Sequence, residues 1–397
     1  MKKLIIGTVS ALALLVAQGG DANAQKAKKI TIGFVTTLST GAGAIGRDMR
    51  DSVNIALDQL GHKMAGIPVE VLFEDDGFKP EIGKQKTEKL VKKNKVDIMS
   101  GYIWSHVLLA SRKTVLDAGK FLIVSNAGTS KIAGRLCHKN LFTTSWQNDQ
   151  IPMALGEVLN KRGVKSLYLV APNYAAGKDM ANGVQRTFKG KVLGRDMTKW
   201  PAQKDFSAEL AKIRSARPEG VFIFYPGPHT DAFIRQYQQA GLSKIPLYSV
   251  FSVDSMSLRR LQKAKVSGVL GTFTTGFWSP DLDTPGNKRF VRDFKKKHGK
   301  YPSHYGAQSY DSIMLINSAV KAVGGNIKDM DGMRAAFKKA DYASVRGPYK
   351  YNTNHFPIQN FYLREVVDDG DGVWTTRTAG VIYRNHKDPF YKKCKMK

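Results

Sequence analysis

Along most of the chain, hydrophobic positions switch between short solid runs and helical spacing. Ile30, Ile32, Phe34 and Val35 read as a short buried strand. Small residues follow from Ser39 to Gly46, and then Met49, Val53, Ala56, Leu57 and Leu60 recur at helical spacing. A strand, a glycine-rich turn and an amphipathic helix open a parallel α/β sheet. In such sheets a ligand crevice forms where strand carboxyl ends meet helix amino ends.

The alternation continues. Strands are predicted at 69–73, 96–99 and 121–124, with helices at 81–93 and 110–118, enough for one doubly wound lobe. A second series has strands at 166–170, 192–196, 220–225, 246–250 and 269–274, separated by helices. Helices at 285–298, 308–323 and 330–340 follow, and then alternating strands at 357–367 and 372–382. The last helices are needed to finish the first lobe and the last strands belong to the second. The expected fold is α/β, with two doubly wound parallel-sheet lobes joined by a three-segment hinge. The expected division is 25–146 with 277–348 for lobe 1, and 147–276 with 349–397 for lobe 2 and its tail.

The N-terminus changes the compartment. Lys2 and Lys3 precede an apolar Leu4–Ala17, and Ala22-Asn23-Ala24 has the small-x-small form of a cleavage site. Residues 1–24 read as a signal peptide cleaved after Ala24, with no cysteine at the junction to carry lipid. A soluble periplasmic protein is expected. Its two cysteines, Cys137 and Cys394, fit one disulfide in an oxidising compartment or two buried free thiols.

The net charge of +29 raises the question of nucleic acid. The basic residues are spread over nearly every predicted helix, and no zinc-finger spacing, RNA-recognition signature or basic tail is present. No nucleic-acid partner is expected. The charge instead raises the local concentration of anionic solutes. No G-x-S-x-G, HExxH or GxxxxGK[ST] motif occurs, and GAGAIG at 41–46 lacks the dinucleotide spacing. No enzymatic activity, metal or cofactor is expected.

Several ordered landmarks carry a resemblance over essentially the whole mature chain. They are ITIGFVTTLST…GAIGRDMRDSVNIALDQL, VEVLFEDDG, GYIWS, SNAGTS, APNYAAGKD, VFIFYPGPHTDAFIRQYQQAGL and HYGAQSYDSIMLINSAV. The chain resembles type I periplasmic solute-binding proteins of the branched-chain amino acid-binding kind, and within them the aromatic-acid-binding branch. The resemblance implies a monomeric receptor that delivers a small organic acid to the permease subunits of an ABC importer. Benzoate-, hydroxybenzoate- or coumarate-type compounds are the expected ligands. An amino-acid receptor and a ligand-sensing partner of a membrane receptor kinase are the alternatives.

The resemblance also implies a carboxylate held at two strand exits, by Ser105 and by the loop with Ala127 and Thr129. The hydroxyls could equally cap helices. Tyr174 and Tyr225 fall at exits of the second lobe, as ligand-facing phenols or core aromatics. Amino-acid receptors place a carboxylate near the exit at Tyr248–Asp254 to pair with the ammonium. Phe251 stands there instead, with Asp254 three residues on. An unpartnered buried ammonium is costly, so the ligand is expected to be an acid with an apolar or aromatic body. Trp104, Trp146 and Trp278 are candidates to stack on its ring, or to pack between the lobes. Trp200 reads as peripheral, and His106, His229 and His304 as surface or loop residues.

Overall fold

The computed structural model describes residues 28–201 and 203–396, so the leader lies outside the described residues. Two separate sheets organise the chain. Across the six-stranded sheet the strands run Lys63–Met64, Ile67–Asp75, Ile30–Thr36, Ile98–Gly101, Phe121–Val124 and Leu141–Thr143. All pairings are parallel except the short hairpin at Lys63–Met64. The central strands at 98–101 and 121–124 are buried at every position, and the second, Phe121-Leu122-Ile123-Val124, reads as a solid apolar run for that reason.

The eight-stranded sheet is ordered Lys350–Tyr351, Pro357–Asp368, Phe273–Gly276, Leu247–Val250, Gly220–Ile223, Ser166–Pro172 and Lys191–Thr198, with Trp374–His386 paired to Pro357–Asp368. Its five central and first-series strands are parallel, and the late strands add antiparallel. The late chain does return to the first sheet, where helix His304–Ala322 packs on helix Gly43–Gln59. In each sheet the strand order reverses beside the opening strand, at Ile30–Thr36 and at Ser166–Pro172. These reversals create the two crevices that face each other.

Most predicted elements are present within a few residues. Strand Leu141–Thr143, helix Ser130–Ala133 and the two-residue strands are additional; such short segments carry no periodicity. The predicted helix 81–93 is a helix, Pro80–Glu88, continued by a π turn at Lys89–Lys93. Cys137 and Cys394 are joined as a disulfide. It ties the tail to the first lobe, where Phe390 and Lys393 pack near Gly134.

Candidate functional site

Strand exits from both sheets converge on one small cavity of about 20 Å³. From the first lobe come Trp104 and Ser105, at the start of helix Ser105–Asp117, and Asn126 and Ala127, after strand Phe121–Val124. From the second come Tyr174, Phe224, Pro226 and Phe251, each just past a strand end. Trp146 and Asn148, from the segment joining the sheets, and Tyr305, from the second residue of helix His304–Ala322, complete the walls with smaller apolar contacts. None of the lining residues is charged.

The polar atoms around it are mostly spoken for. The Ala127 N–H donates to the Tyr102 carbonyl at 3.0 Å. Asn148 Nδ2 donates to Ser105 Oγ at 3.3 Å and to Asp179 at 3.1 Å. The chain at Trp146–Asn148 lies against the exit loop because Gly128 permits it. A Cβ there would sit 1.9 Å from the Trp146 carbonyl oxygen, and the Asn148 N–H donates to the Gly128 carbonyl at 2.8 Å.

Aromatic rings fix the walls. Trp146 stacks on Phe251 at 4.3 Å and on Phe277 at 5.0 Å. Tyr174 stacks on Trp200 at 5.3 Å, and Trp200 meets Phe78 at 5.3 Å and Trp104 at 5.9 Å across the lobes. Burial pushes the Tyr174 and Tyr305 phenols well above the usual range, so both stay protonated.

Of the expected site residues, the structure brings Ser105, Ala127, Tyr174, Phe251, Trp104 and Trp146 to the cavity. Tyr225, Trp278 and Thr129 do not line it. Tyr225 points into the core of the second lobe, stacked on Phe233 and bonded to Thr198 Oγ at 2.8 Å; its neighbours Phe224 and Pro226 face the cavity instead. Trp278 donates to Asn287 Oδ1 at 2.7 Å and packs on Phe290. The Thr129 hydroxyl caps helix Ser130–Ala133.

Asp254 also acts locally. Its Oδ1 accepts from the N–H groups of Met256 and Ser257 in a capping box, and it does not line the cavity. Trp200 is not peripheral, as its ring contacts show. His304 is fully buried among Trp146, Phe251 and Phe277, and burial drives its pKa well below the usual value. Sequence reasoning missed Asn126, Asn148, Phe224 and Tyr305. For Tyr305 a signal existed, since Ser303 is a helix N-cap just ahead of it.

The periplasmic binding protein family matches residues 29–371. This chain belongs to that family. A Leu/Ile/Val-binding protein homolog of Brucella abortus is 26% identical, over 94% of this chain and 95% of the relative. A solute-binding protein of an ABC transporter from R. palustris, solved with benzoate, superposes with a TM-score of 0.85 at 30% identity, covering 92% of this chain and 99% of that one. Another, from Rhodopseudomonas palustris BisB5 and solved with 3,4-dihydroxybenzoic acid, has a TM-score of 0.83 at 25% identity, covering 91% and 99%. These relatives are two-lobed solute-binding proteins, and this chain shares their fold. No helix among the described residues is long and apolar enough to cross a membrane.

Proposed function

We propose that this protein is the periplasmic substrate-binding component of an ABC importer and that its cleft takes a small aromatic carboxylate. The carrying observation is a cavity walled by aromatic rings from both lobes, with no charged side chain on its lining. An α-amino acid would bury its ammonium there without a partner, which is costly. A benzoate-like acid buries only its ring against the walls and presents one anion to neutral donors. The benzoate and dihydroxybenzoate complexes of the R. palustris neighbours support the same reading.

The present cavity holds about 20 Å³, whereas a benzene ring needs roughly 150 Å³. Entry therefore requires the lobes to part, and the closed form is what the permease would recognise. The test is thermal unfolding of the mature protein with benzoate, 4-hydroxybenzoate, coumarate, leucine and isoleucine in turn. A ligand that binds only the folded state raises the apparent melting temperature. Shifts with the aromatic acids and none with leucine are expected; shifts with the amino acids alone overturn the aromatic reading.

A further inference from the structure

We infer that the indole N–H of Trp146 is a carboxylate donor of this cleft, working with the Ser105 hydroxyl. The inference rests on the cleft being the ligand site. Trp146 lines the cavity, is 2% exposed, and its Nε1 is buried with no hydrogen-bond partner. A buried donor left unmade is expensive in a folded protein. By contrast, the indole N–H groups of Trp104 and Trp278 are satisfied by Thr37 and Asn287.

Several other donors at this end of the cavity are committed. The Ala127 N–H holds the Tyr102 carbonyl, the Asn148 amide is shared between Ser105 and Asp179, and the Thr129 hydroxyl donates to Asp179. Ser105 accepts from Asn148, which leaves its own O–H to donate. Trp146 sits beside the same exit loop, its carbonyl against Gly128. Its ring is fixed by the stacks on Phe251 and Phe277, so the N–H is held ready without further ordering. A carboxylate at the Ser105 end can accept from both. The site thereby holds an anion with two neutral donors and no cation.

Trp146→Phe keeps an aromatic face on Phe251 and removes the N–H. Dissociation constants for benzoate and leucine are measured on the wild type and the variant, with unfolding curves for both. Losing a hydrogen bond to a charged group lowers affinity roughly 10- to 100-fold. That loss, for the carboxylate the wild type binds and with the fold intact, is the expected result. Equal affinity overturns the inference.

A second readout is the indole ¹⁵N–H spectrum, which carries one signal for each of the five tryptophans. The Trp146 signal is assigned from the variant, or by elimination from substitutions of the other four should it not fold. It should move downfield when the ligand is added; an unmoved signal overturns the inference. If the wild type binds leucine and not benzoate, the aromatic reading falls while the Trp146 role is judged on leucine. A wild type that binds no carboxylate of the panel overturns both.

Discussion

Asp179 of the second lobe accepts two hydrogen bonds from Ser130 of the first, one from its hydroxyl at 2.7 Å and one from its backbone N–H at 3.0 Å. Asn148, on the connecting segment, adds a third at 3.1 Å. Burial pushes the Asp179 carboxyl pKa up, and the Ser130, Asn148 and Thr129 donors pull it back. The carboxylate thus latches the closed cleft beside the cavity. Asp179→Ala should favour the open form and weaken ligand binding roughly 10-fold or more. Titration calorimetry reads the affinity, and small-angle scattering of the apo protein reads the opening. Unchanged values in both would remove the latch.

Tyr174 and Tyr225 should respond in opposite ways. Tyr225→Phe strands the buried Thr198 hydroxyl in the lobe core, costing about 1–2 kcal/mol of stability in urea unfolding while leaving the dissociation constant alone. Tyr174→Ala removes a cavity wall and the ring under Trp200, and should weaken an aromatic acid by roughly 10-fold or more.

Asp48 sets a pH dependence. It is fully buried, accepts from the Ser303 hydroxyl at 2.6 Å, and leaves its other oxygen without a hydrogen bond. Burial raises its pKa to about 6, against 3.8 ordinarily. A carboxyl raised on folding binds its proton more tightly in the native state. Its contribution is therefore fully present below the ordinary value and is lost as pH rises through about 6. Relative to Asp48→Asn, the wild type should gain up to about 3 kcal/mol as pH falls from 7 to 4. Parallel chemical-unfolding curves at the two pH values check this; a gap that widens with rising pH contradicts it.

The Cys137–Cys394 bond closes a span of 257 residues. Loop-closure entropy assigns such a link about 5.5 kcal/mol at most. The double Cys→Ser variant should melt several degrees lower, and dithiothreitol should lower the wild type but not the variant. Ligand affinity measured well below the melting point should change little, because neither cysteine lines the cavity.

The lobes and the Phe251 wall were legible because their signals are local. Doubly buried strands are solid apolar runs, and their exits follow directly. The error at Tyr225 has a physical cause. In Val221-Phe222-Ile223-Phe224-Tyr225 every residue is buried, so no polar alternation indicates which of Phe224 and Tyr225 faces the cleft. Trp200 was illegible for another reason. It lies in an irregular loop past strand Lys191–Thr198, and only the meeting of the two lobes brings it onto Phe78 and Trp104. Asn148 likewise reaches the site through long-range folding. Count and expected compartment leave the cysteines as one disulfide or two buried thiols, and the fold decides for the disulfide by bringing Cys137 and Cys394 together.

The uncharged lining has a consequence for how capture responds to acidity. The phenols that face the cavity stay protonated far above neutrality, and no carboxylate, imidazole or ammonium of the protein touches it. Between mildly acidic and mildly alkaline conditions a carboxylic acid is already ionised in solution, so neither the cavity walls nor the carboxylate of the proposed ligand changes charge. On the proposed function, capture of such an acid keeps the same affinity as the medium drifts in acidity, because nothing at the point of contact gains or loses a proton.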